Sequence, residues 1–169
     1  MSASNVVESA FRPVLDVMQT LPIFLFVIPS VVILGAGPVA GVLATVLYAI
    51  APVIRLTNLA LREVDEEVVE ASASLGATWW QMLRNVRAPM GVPMIMAGVN
   101  QTIMLALAMA VVSAFIGSPG LGATILVALA EVDLAPGFEA GLSMLILAVV
   151  ADRVLTGFVQ RVRSGVHLA

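Results

Sequence analysis

The feature that most limits how this chain can fold is a series of apolar runs too long for an ordinary core. They cover roughly residues 12–34, 39–54, 89–115 and 138–154, and their few charges sit near their ends. The first is about 22 residues, or roughly 33 Å as a helix, enough to cross a hydrocarbon layer of about 30 Å. Composition agrees. With 60% hydrophobic and 11% charged residues and a mean hydropathy of +1.06, the chain cannot cover itself with polar surface as a soluble domain does. The reading is an all-α, polytopic membrane helix bundle of about four transmembrane helices, a single domain over 1–169.

Charge and residue types exclude several functions. The net charge of -3 offers no basic face for nucleic acid. Lysine and cysteine are absent and the one histidine, His167, lies at the end of the chain, so nucleophilic triads and ordinary zinc sites have no residues to use. No catalytic, cofactor-binding or metal-ligating set is expected. Residues 1–10 are polar, with Glu8, and do not read as a cleavable signal.

One polar island, residues 65–89, interrupts the apolar runs. Asp65, Glu66 and Glu67 favour a helix start. Val64, Val68, Ala71 and Leu75 follow at helical spacing. Gly76 suits a left-handed helix end, and Thr78 with Gln81 forms a capping box for a second helix. Trp79, Met82, Leu83 and Val86 give that helix its apolar stripe, with Arg84 and Arg87 off it, until Pro89 lets a new helix begin. The carboxylates Glu63, Asp65, Glu66, Glu67 and Glu70 read either as a solvated helix start or as a cation site. Trp79 and Trp80 read either as an anchor at the membrane surface or as part of a docking face.

The spans have their own grammar. Pro22 and Pro29 should kink the first, and 35–38 is a tight turn. Gly41, Thr45 and Ala49 make a small-residue seam in the second, whose end Pro52 bends. Gly98, Thr102, Ala106, Ala110 and Ala114 make another in the third. Residues 117–122 lack the strand and the Lys-Ser of a phosphate loop, and Pro119-Gly120 reads as a type II turn. A short helix over 121–130 at the outer surface should break at Glu131, Asp133, Pro136 and Gly137, and Gly137 with Gly141 forms a GxxxG step. Asn100, Gln101 and Thr102 are expensive inside a span. They read as interhelical hydrogen bonding or, with Met104, as candidate lining of a translocation path. Glu139 and Asp152, beside Arg153, read as interfacial. With the island cytoplasmic, Arg12, Arg55, Arg62, Arg84, Arg87, Arg153, Arg161 and Arg163 all fall on that side, so both termini are expected inside.

Glu70-Ala71-Ser72, Gly76 and Val86-Arg87-Ala88-Pro89 resemble the EAA loop of ABC importer permeases, which docks on the ATPase subunit. Glu70, Ala71, Gly76 and Pro89 keep the register of that motif, while Ser72, Val86 and Ala88 are small or apolar substitutes. Residues 12–22, 95–104 and 137–141 with Asp152-Arg153 resemble the glycine betaine/proline branch, and choline and carnitine systems share much of this pattern. The resemblance implies a type I importer permease with a cytoplasmic coupling-helix pair at 65–89, in which Glu70, Ala71, Gly76, Val86 and Pro89 couple to the ATPase. It implies a permease homodimer in a bacterial or archaeal inner membrane, an ABC ATPase subunit that hydrolyses ATP, and an extracytoplasmic substrate-binding protein. Members normally carry at least one more helix before Arg12, so the sequence reads as truncated, an internal fragment, or a late start. A non-transporting membrane scaffold is one alternative. An ion-driven transporter is another, and it would want an intramembrane acid or paired broken helices, which the central parts of these spans lack.

Overall fold

The computed structural model describes residues 13–166, with side chains through residue 157. The expectations placed on residues 1–10, Arg12 and His167, and on the side chains of Arg161 and Arg163, lie outside the described residues.

Every regular element among the described residues is a helix. In chain order they are α1 (Pro13–Thr20), α2 (Phe24–Leu34), α3 (Pro38–Arg62), α4 (Glu66–Ser74), α5 (Trp79–Met82), a π-helical segment (Leu83–Arg87), α6 (Ala88–Ala114), α7 (Leu121–Glu131) and α8 (Leu134–Val166). Three stretches are long and apolar enough to cross a membrane: Pro38–Arg62, Trp79–Ala114 and Leu134–Gly157. The pair α1 and α2, bent by 97°, makes a fourth if counted as one span.

The chain divides into two compact units, one of Met1–Ala51 with Ile103–Ala148 and one of Pro52–Thr102 with Val149–Ala169. In the first, the kink expected at Pro22 is a complete break. Pro22 has no N–H for the carbonyl one turn back, and α2 restarts with the Leu25 N–H donating to the Pro22 carbonyl at 2.9 Å. The break lets Met18 and Leu21 on one side, and Ile23, Phe26 and Val27 on the other, pack into one core with Ala44 and Met109. The Phe26 ring meets Tyr48 edge-on at 5.5 Å within it, and Phe24 meets Phe115 edge-on at 6.1 Å on the exposed side. Pro29, by contrast, stays inside α2, where the neighbouring Ser30 hydroxyl donates to the Phe26 carbonyl at 2.8 Å.

Small residues set the close approaches. A Cβ on Gly41 would lie 2.9 Å from the Ser113 Cβ, and one on Gly122 would run into the Ala110 carbonyl. Some expectations are refined here. Gly120 has φ 115 and ψ -164 and precedes α7 as its N-cap, so Pro119-Gly120 is not a type II turn, which needs ψ near 0° at its second central residue. The GxxxG step is half used within the chain: a Cβ at Gly137 would lie 3.1 Å from the Ala128 Cβ, whereas nothing lies within 4 Å of one at Gly141. The break before the last helix is also shorter than expected. Only Val132 and Asp133 separate α7 from α8, because Pro136 sits in the first turn of a helix, where its missing N–H is not needed.

In the second unit α3 continues through Pro52 to Arg62 rather than ending near 54. Cβ atoms at Gly98 and Gly91 would lie 3.1 Å from Leu56 and 3.2 Å from Ala60, so α6 rests directly on α3 there. The Arg87 Nη1 donates to the Leu61 carbonyl at 3.3 Å, capping the end of α3 with a cation.

Candidate functional site

The polar island folds as an elbow built almost wholly from local interactions. Asp65 caps α4, its carboxylate accepting from the Glu67 N–H at 3.1 Å, with Glu66 and Glu67 in the first turn. At the other end Gly76, at φ 81, is the left-handed residue expected there. The Ala77 N–H donates to the Ser72 carbonyl at 3.2 Å and the Gly76 N–H to the Ala73 carbonyl at 2.9 Å, the paired bonds of a Schellman stop. Thr78 then starts α5. Its hydroxyl accepts from the Gln81 N–H at 3.4 Å, and its own N–H donates to Gln81 Oε1 at 2.8 Å, completing the capping box.

Beyond α5 the structure departs from expectation. Pro89 does not open a separate helix. Residues Trp79–Ala114 form one continuous helix in which Leu83–Arg87 widens to a π turn, the Ala88 N–H donating to the Leu83 carbonyl. The wider turn makes room for the Pro89 ring, which in a regular helix presses on the carbonyl four residues earlier. Proline alone signalled a boundary here, and the sequence pattern gave no separate sign of the π turn.

The elbow's apolar residues find little cover within the chain. No residue of α4 is buried, Leu75 is 90% exposed, and Trp79 and Trp80 are about 70% exposed, edge-on to each other at 5.2 Å. Met82 is buried, and Val86 and Pro89 are half-buried. Glu70, Ala71 and Gly76 are exposed. Among the described residues no three His, Cys, Asp or Glu side chains are grouped so as to hold a metal.

The candidate path residues separate. Gln101 and Met104 are exposed, and Thr102 is half-buried with its hydroxyl oxygen fully covered and unpaired. Asn100 is half-buried, and its Nδ2 donates to Asp152 Oδ1 at 2.9 Å. Its own Oδ1 is covered and has no partner. Beside this pair is a cleft of about 190 Å³ lined by Pro93, Met96, Ala97 and Asn100 of α6 and Leu155 and Thr156 of α8. The lining follows helical spacing on both sides, and Asp152 is one turn before Leu155 and Thr156 on the same face. The sequence puts Asp152 near the end of the last span, at an interface, and the structure adds its hydrogen bond with Asn100.

Comparison with known proteins places these features in a family. The chain is 46% identical over 164 residues to the glycine betaine/carnitine transport permease protein GbuB of Listeria monocytogenes, covering 97% of this chain and 58% of the relative. It is 47% identical over 152 residues to the trimethylamine N-oxide transport system permease protein TmoV of Ruegeria pomeroyi, covering 90% and 23%. It is 44% identical over 142 residues to the glycine betaine/proline betaine transport system permease protein ProW of Escherichia coli, covering 84% and 40%. The chain thus spans between about a quarter and three-fifths of the length of these relatives. A solved structure of the inward-facing MetNI methionine ABC transporter aligns with a TM-score of 0.80 at 20% identity, covering 92% of this chain and 76% of that one, which shows a shared fold. Residues 1–164 match the binding-protein-dependent transport system inner membrane component family, and the chain belongs to that family.

Proposed function

We propose that this chain is a transmembrane permease subunit of an ATP-driven importer for glycine betaine, proline or a related quaternary ammonium osmolyte. The solute class rests on the names of the relatives, which are glycine betaine, carnitine, proline betaine and trimethylamine N-oxide permeases. The mechanism rests on one observation, the elbow. A helix held at both ends by local bonds, exposed on its apolar side and joined through a continuous 36-residue helix to a span, is suited to pass a push from outside the membrane to the helices within it.

In this reading Glu70, Ala71, Gly76, Val86 and Pro89 form the contact that couples to an ABC ATPase subunit. ATP hydrolysis takes place in that partner, and this chain is not itself an enzyme. A permease homodimer and an extracytoplasmic substrate-binding protein complete the importer. Orientation follows from charge. Among the residues whose side chains are described, every arginine, Arg55, Arg62, Arg84, Arg87 and Arg153, lies in the unit that holds the elbow. That arginine supports a cytoplasmic placement of the elbow, and in this reading both termini share that side.

Co-purification with an ATPase subunit, lost when residues 70–76 are replaced by a Gly-Ser linker, tests the coupling contact. Cysteine accessibility at positions 79 and 84 tests the orientation, and labelling of either from outside the cell would overturn it.

A further inference from the structure

We infer that Arg87 is a positioning residue that clips the base of the elbow to the end of α3, so that a push on the elbow moves α3 and α6 as one body. The inference deepens the transport reading and rests on it for the source of the push. Arg87 is the last residue of the π turn through which the elbow enters α6. Its Nη1 reaches 26 positions back in sequence to the Leu61 carbonyl, in the last turn of α3. The two helices that flank the elbow are thereby tied where the elbow leaves one and joins the other.

Beyond the clip the same face of α6 is closed. Arg87, Gly91 and Gly98 are spaced by four and then seven residues, so they share one side of the helix. A Cβ at Gly91 would lie 3.2 Å from the Ala60 Cβ, and one at Gly98 would lie 3.1 Å from the Leu56 Cβ. At such range one helix slides past the other only if their backbones part. The clip therefore fastens the elbow end of a pair that already packs as a unit. Stability alone is a poor account of it. Arg87 Nε is covered and has no partner, a cost that a cap serving only to stabilise α3 would avoid by satisfying its donors. Arg87 is half-buried against α3, so it acts through Leu61 and not on a partner's surface.

The test uses the full permease–ATPase complex in vesicles. Arg87→Met keeps an unbranched side chain and removes the donor, and uptake per ATP hydrolysed should fall about fivefold, the population change that loss of one such bond gives. Arg87→Lys carries a donor to the same carbonyl and should stay within about twofold of the parent. The sequence has no cysteine, so Ala60→Cys with Gly91→Cys places a single thiol pair across the two helices. Oxidised to the disulfide, the complex should couple within about twofold of its reduced form, because a rigid pair has no relative motion to lose. Exchange at the Ala88 amide, which donates to Leu83 in the π turn, should rise about fivefold in Arg87→Met and reads the clip with no transport at all. Parent-like coupling or Ala88 exchange in Arg87→Met, failure of Arg87→Lys alongside it, or loss of coupling on oxidation each overturns the inference. The Arg87 variants decide the case alone if the paired cysteines do not fold. If the exchange result holds and the parent complex takes up no solute, the transport reading fails and the clip stands.

Discussion

Replacing Gly76 isolates the elbow's geometry from its contacts. The residue sits at φ 81, and a Cβ built there meets nothing within 4 Å, so a side chain adds no clash and the whole cost is backbone. An L-residue in the left-handed region costs roughly 1–2 kcal/mol, with β-branched valine at the upper end, while asparagine tolerates it. Since α4 has no buried residue, tertiary packing does not hold the joint against that cost. Gly76→Val should therefore reduce the population of the formed stop by about 5- to 30-fold, and Gly76→Asn should leave it nearly unchanged. Hydrogen exchange at the Ala77 amide, which donates to Ser72, reads the loss directly. Solute-stimulated ATP hydrolysis against uptake in vesicles reads the uncoupling. Parent-like exchange at Ala77 in Gly76→Val would refute the backbone argument, and faster exchange with parent-like uptake would refute the coupling role of the joint.

The other predictions concern local energies. Thr78→Ala removes the capping box and should cost about 1 kcal/mol of helix stability, seen as faster exchange at the Gln81 amide. Gly122→Ala drives a methyl into the Ala110 carbonyl and should destabilise the chain by about 1–3 kcal/mol, measured as thermal unfolding in detergent. Gly141→Ala, with open space around it, should stay within about 0.5 kcal/mol in the same assay. Arg87→Ala frees the Leu61 carbonyl, but it also removes a covered and unpaired Nε, so its cost should fall near 1 kcal/mol rather than at the upper end for a charged hydrogen bond.

The elbow was legible because its parts act over short distances. Asp65 to Glu67, Gly76 to Ala73 and Thr78 to Gln81 are each set within one helical turn or so, and the residue types that make such bonds are few. The apolar runs were legible for a similar reason, since length and composition decide whether a segment crosses a bilayer. The sequence thus determined the class of the molecule, its helices and the local form of its polar joint.

Tertiary structure decided which polar group in a span meets which. Asn100 and Asp152 are 52 residues apart, and no local rule joins them. It also decided that Pro22 breaks a helix while Pro29 and Pro52 stay inside theirs, that a π turn accommodates Pro89, and that Gly137 packs where Gly141 does not. The physical reason is the same in each case. A proline, a glycine or a buried amide fixes what the chain gives up locally, and only the neighbouring helix determines whether that loss is compensated.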